Sequence, residues 1–179
     1  MRVITATVGA VKRVFDGIAR KFRTGWCHCI LGALGSGAII DRGVIFYSPG
    51  NIFIGNRVAI NQGALLQGSP GGKITIGDGC VISYRAMVLT AGLKVPFTES
   101  ERQHQYGDIV IGKNVWLCAG VIVLPGTVIE DNVVVAAGAV VRGHLNDGWY
   151  YGGVPAKPIS PIPGKADGAC TRRESDRNG

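Results

Sequence analysis

Three histidines, His28, His104 and His144, are the side chains best suited to move a proton near neutral pH. His104 lies in a polar stretch from Lys94 to Asp108, KVPFTESERQHQYGD, where Glu99 or Glu101 could orient its ring. His144 sits in the short segment Arg142-Gly143-His144, and His28 stands between Cys27 and Cys29. Metal chemistry is not expected. Cys27, Cys29, Cys80, Cys118 and Cys170 follow no zinc-ligand spacing, and Cys27-His28-Cys29 is too tight for a tetrahedral site by itself. They read as reduced structural thiols. A three-histidine zinc site is disfavoured too, because the histidines fall in a leader, a loop and a turn without paired spacing.

The element that must carry such a loop is written in a six-residue period. Ile111, Leu117, Val123, Ile129, Val135 and Val141 recur without a slip through IGKNVW, LCAGVI, VLPGTV, IEDNVV and VAAGAV. Ile76, Ile82 and Val88 form a second run, and Ile54 and Ile60 a third. A helix needs a period near 3.6 and a lone strand a period of two, so neither accommodates six. A solenoid does: each unit is a short strand plus a turn, three units close a triangular coil, and the first-position aliphatic points inward. Glycine at position four, as at Gly63, Gly120, Gly126 and Gly138, keeps the corner tight. The phase breaks twice, around Gly68 to Gly72 and across residues 94–108. The second break reads as a protruding loop, and long loops on rigid scaffolds concentrate function.

The fold class expected is therefore an all-β solenoid over residues 38–159, preceded by a basic amphipathic helix over 1–25 and followed by a flexible extension, 160–179. Ile4, Val8, Val11, Phe15, Ile18 and Phe22 make the helix's apolar stripe; Arg2, Lys12, Arg13, Arg20, Lys21 and Arg23 surround it, with Asp16 the one acid. The stripe either packs on the solenoid or lies on an acidic membrane surface. The net charge of +7 gathers there without an aromatic platform, so no nucleic-acid partner is expected. No apolar run approaches the roughly 20 residues that span a bilayer, and charges interrupt any secretory leader; a cytoplasmic location, at most at the inner face of the membrane, is expected.

Residues 54–159 resemble the left-handed parallel β-helix acyltransferases, nearest to the sugar and polysaccharide O-acetyltransferases. The run IVIGKNVWLCAGVIVLPGTVIEDNVVVAAGAVV and the tail Gly152-Gly153-Val154-Pro155-Ala156-Lys157 carry the resemblance. It implies a left-handed coil, a homotrimer with sites between subunits, acetyl-coenzyme A as acyl donor without a metal, and a carbohydrate hydroxyl as acceptor. The family's catalytic histidine closes a segment like Thr-Ala-Thr-His, whereas this chain has Thr90-Ala91-Gly92-Leu93. Leucine cannot take a proton, which leaves His104, with Glu101, as the expected base, and His144 and then His28 behind it. The resemblance further implies that Asn61 positions substrate or stabilises the oxyanion and that Trp116 walls the groove; Arg85, which interrupts an otherwise bland hexad, is placed to face the acceptor. It places the coenzyme at Ala119, Gly120 and Ala137, with Arg142 and Lys157 near its phosphates. An inactive trimeric scaffold, and N-acetylation of an amino sugar, are the alternatives.

Overall fold

The computed structural model describes residues 17–94 and 103–164. A helix, α1 (residues 17–30), leads into about six stacked turns. The first holds β1 (Ala33–Leu34), β2 (Ile39–Ile40) and β3 (Ile45–Tyr47); the second β4 (Ile52–Ile54), β5 (Ala59–Ile60) and β6 (Leu65–Gln67). The third holds β7 (Ile74–Ile76), β8 (Val81–Ile82) and β9 (Met87–Leu89), followed by the excursion β10 (Ala91–Leu93) and β11 (His104–Tyr106). The fourth comprises β12 (Ile109–Ile111), β13 (Trp116–Leu117) and β14 (Ile122–Val123); the fifth β15 (Val128–Ile129), β16 (Val134–Val135) and β17 (Val140–Val141). The sixth ends with β18 (His144–Leu145), β19 (Trp149–Gly152) and β20 (Lys157–Pro161).

Like strands of successive turns pair in parallel and make three sheets: A is β1-β4-β7-β12-β15-β18, B is β2-β5-β8-β13-β16-β19-β20 and C is β3-β6-β9-β14-β17. Among the described residues the only antiparallel ladders are β10 with β11 and β19 with β20. The architecture is a parallel β-solenoid consistent with the left-handed β-helix of hexapeptide repeats. It begins at Ala33, five residues before the expected start. The Gly-rich segment 32–37 hides the first strand from a periodicity count, yet Ala33 and Leu34 pair with Phe53 and Ile54.

The first-position aliphatics fill the core: Ile54, Ile60, Ile76, Ile82, Val88, Ile111, Leu117, Val123, Ile129, Val135 and Val141 are all buried. Position five points inward as well, through the smaller Val58, Ala64, Cys80, Ala86, Val115, Val121, Val133 and Ala139. The two layers interdigitate at a density that leaves little room for altered volume. Burial pushes the Cys80 thiol up to about 11, and its sulfur donates to the Gly112 carbonyl at 3.0 Å. Cys27, Cys29, Cys80 and Cys118 are free.

The turn between sheets A and B, the first edge, is tied by polar side chains. Asp78 Oδ1 accepts from the backbone N–H of Asn56 at 2.7 Å, and Asn114 Nδ2 donates to Asn132 Oδ1 at 3.3 Å. These bonds to the charged form hold the Asp78 carboxyl below the usual carboxylate range, the Asn56 backbone N–H contributing most. Asn114 and Asn132 adopt φ of 54° and 53°, a conformation asparagine tolerates better than most residues.

Helix α1 departs from the expected bounds and orientation. It is described from residue 17 and runs to residue 30, and it meets the solenoid through Cys27 and the following Leu31, with Arg23 Nε donating to the Ile40 carbonyl at 3.0 Å. Ile18 and Phe22, the stripe residues that fall within the described helix, do not pack on the solenoid but face outward with Trp26, at 49%, 78% and 69% exposure. The face that packs is the one bearing Arg23, Cys27 and Ile30, because Cys27 and Leu31 complete the first coil's core. Ile4, Val8, Val11 and Phe15 lie outside the described residues, as does most of the C-terminal extension.

Candidate active site

Candidate residues gather on the two remaining edges of the prism. The second edge, between sheets B and C, stacks the turns after β2, β5, β8, β13 and β16. It carries Asn61, Arg85, Ala119, Gly120 and Ala137, five of the residues singled out from the sequence. Gly43, Gly63, Arg85, Ala119 and Gly120 line a recess of about 790 Å³ there. Trp116 leads into this edge, half exposed on sheet B, and its indole N–H donates to Ser83 Oγ at 2.9 Å. That bond ties the ring to the preceding coil, and Trp116 is not among the residues that line the recess.

Asn61 donates its backbone N–H to the Ile82 carbonyl at 2.8 Å and accepts from Ala64 at 3.2 Å. Among the described residues its side chain forms no hydrogen bond, so the amide is available to a ligand. Lys157 begins β20 opposite Gly152, at the C-terminal end of sheet B. A cation there stands at the end of the column that Ala119 and Ala137 begin.

The third edge, between sheets C and A, carries the excursion. Strands β10 and β11 pair antiparallel in the register Ala91↔Tyr106, Gly92↔Gln105 and Leu93↔His104, and Lys94 N–H donates to the Gln103 carbonyl at 2.9 Å. The protruding loop is thus built on an ordered two-stranded stem. His104 lies directly across from Leu93, the position at which the resemblance expects a histidine. Directly opposed residues bring their Cβ atoms to about 4.5–5.5 Å. A base on either strand therefore serves nearly the same space.

Tyr106 was not found by sequence reasoning. Its ring stacks on that of His104, centroids 5.9 Å apart and planes inclined by 22°. It also covers Gly71: a Cβ built there would meet Tyr106 ring carbons at 2.7 and 2.8 Å. Alternation in His104-Gln105-Tyr106 was the available signal, since residues two apart on a strand share a face. The stem is anchored by the buried Thr90, whose hydroxyl bonds the Gln67 carbonyl at 2.8 Å and Ser69 Oγ at 2.9 Å. Glu101 and Glu99, expected to orient His104, lie outside the described residues.

The other expected residues are dispersed. Arg142 is exposed on the third edge, apart from the second-edge column that carries Ala119, Gly120 and Ala137. His144 lies on sheet A, Nε2 2.7 Å from Glu130 Oε1, while Glu130 Oε2 accepts from the Asp147 backbone N–H at 2.8 Å. That N–H, and then His144, hold the Glu130 carboxyl below its usual range. His28 is on α1. Among the described residues no three His, Cys, Asp or Glu side chains gather as metal ligands.

A coil of hexapeptides with exposed turns at its edges defines a class of transferase scaffold, and comparison places the chain in it. The chain belongs to the bacterial transferase hexapeptide family, whose six-repeat model matches residues 108–143. It is similar to WbbJ of Escherichia coli strain K12, provisionally named a lipopolysaccharide biosynthesis O-acetyl transferase, at 35% identity over 129 residues, 66% of this chain and 61% of that protein. It is 31% identical over 137 residues to YJL218W of Saccharomyces cerevisiae, provisionally named an acetyltransferase, covering 76% of this chain and 69% of the relative. The chain therefore spans roughly three fifths to two thirds of the length of these relatives. Among solved structures, the hexapeptide-repeat acetyltransferase VCA0836 of Vibrio cholerae, complexed with acetyl-coenzyme A, superposes with a TM-score of 0.74 at 25% identity, over 79% of this chain and 77% of that one.

Proposed function

We propose that this protein transfers an acetyl group from acetyl-coenzyme A to a hydroxyl of a carbohydrate, with His104 as general base. The observation that carries the assignment is the Leu93↔His104 register. It sets an imidazole opposite Leu93, the position at which the resemblance expects a histidine. His104 takes the proton from the acceptor hydroxyl as its oxygen attacks the thioester carbonyl. The tetrahedral oxyanion then collapses, the carbon–sulfur bond breaks, and the coenzyme thiolate leaves, taking the proton from the imidazolium. Asn61 is suited to stabilise the oxyanion, since its side-chain amide has no partner within the described residues.

Acetyl-coenzyme A is supported as donor by its presence in the Vibrio cholerae structure. Small residues at Ala119, Gly120 and Ala137 leave the second edge open to a pantetheine arm, and Lys157 offers a cation to its phosphates; Arg142, on the third edge, could reach them only from a neighbouring copy. His104 and this column stand on different edges, separated by the width of sheet C. A complete site then needs the third edge of one copy against the second edge of another, which supports a homotrimer. No helix of the described residues is long and apolar enough to cross a membrane. The outward Ile18, Phe22 and Trp26, with Arg20 and Lys21 beside them, support contact of α1 with an anionic membrane surface. That contact fits a lipid-linked polysaccharide precursor as acceptor and a site of action at the inner face.

Thiol release from acetyl-coenzyme A across a panel of sugars, with wild type and His104→Ala, tests the proposal. Acceptor-dependent release that falls about a hundredfold or more in the variant, with coenzyme binding intact, is the expected result. Absence of coenzyme binding would instead identify an inactive scaffold, the reading that Leu93 by itself favours.

A further inference from the structure

The second edge contains an arginine where its other turns use glycine. Gly43, Gly63, Gly120 and Gly138 take this turn position with φ of 69°, 76°, 67° and 69°; Arg85 takes it in the third coil with φ 55°. Glycine enters the left-handed region freely and arginine does so at a cost, so this side chain is held there against local preference. Arg57 shares the conformation on the first edge, but it faces Asp78, whose carboxyl it helps hold low. Arg85 has no such companion: among the described residues no carboxylate lies within 4.0 Å of it.

The bare glycines on either side shape the space around it. A Cβ at Gly63 would meet Arg85 Cγ at 3.3 Å, so the arginine stem lies along the uncovered turn of the preceding coil. The recess of about 790 Å³ here is walled by Gln62, the exposed ring of Tyr84 and Arg85, with no acidic residue in its lining. Gln62 also borders a neighbouring hollow of about 400 Å³ that contains Arg20, Arg23, Asp41 and Arg42. Asp41 is engaged by Arg20 at 3.7 Å, Arg23 by the Ile40 carbonyl, and Arg42 Nε donates to Gln62 Oε1 at 3.3 Å. The two hollows together present an excess of guanidinium groups beside one aromatic face.

We infer that the second-edge recess selects an acceptor carrying an anionic group, a carboxylate or a phosphate, on its sugar. The guanidinium fork of Arg85 binds the two oxygens of that group while the sugar ring lies on Tyr84. A neutral sugar leaves the fork unpaired and gains only the ring contact. The inference rests on the acyltransferase reading and names the acceptor class for it. It also explains why the turn keeps a side chain that the coil geometry disfavours.

Binding is the appropriate test, because it reads independently of turnover. Saturation-transfer NMR on the full chain compares glucuronate and glucose 1-phosphate with glucose, for wild type, Arg85→Gly and Arg85→Lys. At least one of the two anions is expected to bind about tenfold or more tightly than glucose, and which of them does so separates carboxylate from phosphate recognition. Arg85→Gly relieves the left-handed backbone and so folds with an undiminished Tm, yet it loses that preference. Arg85→Lys retains the charge without the fork and falls between the two. Equal affinity for glucose and both anions, or an unchanged preference in Arg85→Gly, overturns the inference. Coenzyme A binding measured on the same samples keeps the two proposals separate: its loss removes the acyltransferase reading, while the anion preference is scored by itself.

Discussion

Exchanging the base across the stem is the sharpest perturbation this structure offers. His104→Ala removes the imidazole from β11, and Leu93→His in that background supplies one from β10 at the directly opposed position. General base catalysis contributes about 10²–10⁴-fold, so the single variant should lose about 2.7 to 5.4 kcal/mol of transition-state stabilisation in kcat. Coenzyme affinity should hold, because His104 is proposed to act on the acceptor hydroxyl, while the pantetheine arm and phosphates are assigned to other residues. The fold should hold too: both positions are exposed, and surface changes of this kind alter stability by about 0.5 kcal/mol or less. Opposed Cβ atoms about 5 Å apart place the new ring near the old one without reproducing its alignment, so partial rescue, about tenfold or more over His104→Ala, is expected. The assay is thiol release at saturating acceptor and donor, with single-turnover measurements to isolate chemistry. A His104→Ala variant retaining more than about half of wild-type kcat would refute the assignment of His104. A double variant no faster than His104→Ala would refute the equivalence of the two strand positions.

Gly71→Ala would drive a methyl into the Tyr106 ring at 2.7 Å and so tilt the ring on which His104 stacks. About a tenfold fall in kcat is expected with little change in Tm, and an unchanged rate would remove Tyr106 as a positioning residue. Leu117→Ala, at a fully buried site paired between Ile82 and Val135, should cost about 2–5 kcal/mol of stability in denaturant unfolding. Glu130 has its carboxyl pKa depressed in the folded state, so its stabilising contribution is present above the unfolded-state value and lost as pH falls through the folded one. Glu130→Gln should therefore lower Tm modestly in the neutral region, flatten the acid limb of the Tm–pH curve, and converge on wild type at low pH. Alkylation at pH 8 should label the exposed Cys29 and spare Cys80, whose thiol burial holds near 11; rapid labelling of Cys80 would contradict its place in the core.

The solenoid was legible in the order of residues because each hexad repeats one local instruction, an inward aliphatic followed by a tight turn. Ile111 through Val141 show it without interruption, and every one of those side chains is buried. The second inward layer, Val115, Val121 and Val133 among others, was legible in principle and hidden by its smaller, more varied residues. The orientation of α1 was not legible, since an apolar stripe says that a face exists without saying what meets it. Phe22 lies outward because Cys27 and Leu31 fit the open end of the first coil. The same limit applies to the site. Composition could show that the chain has three histidines, and the family resemblance that Leu93 stands where a base is expected. Only the antiparallel register sets His104 opposite Leu93, and only stacking of coils lines Arg85 up with four glycines from distant segments. Pairing across a stem and alignment along an edge are non-local contacts, decided by packing of segments far apart in the chain, whereas the six-residue period is written into neighbouring residues and can be read without folding them.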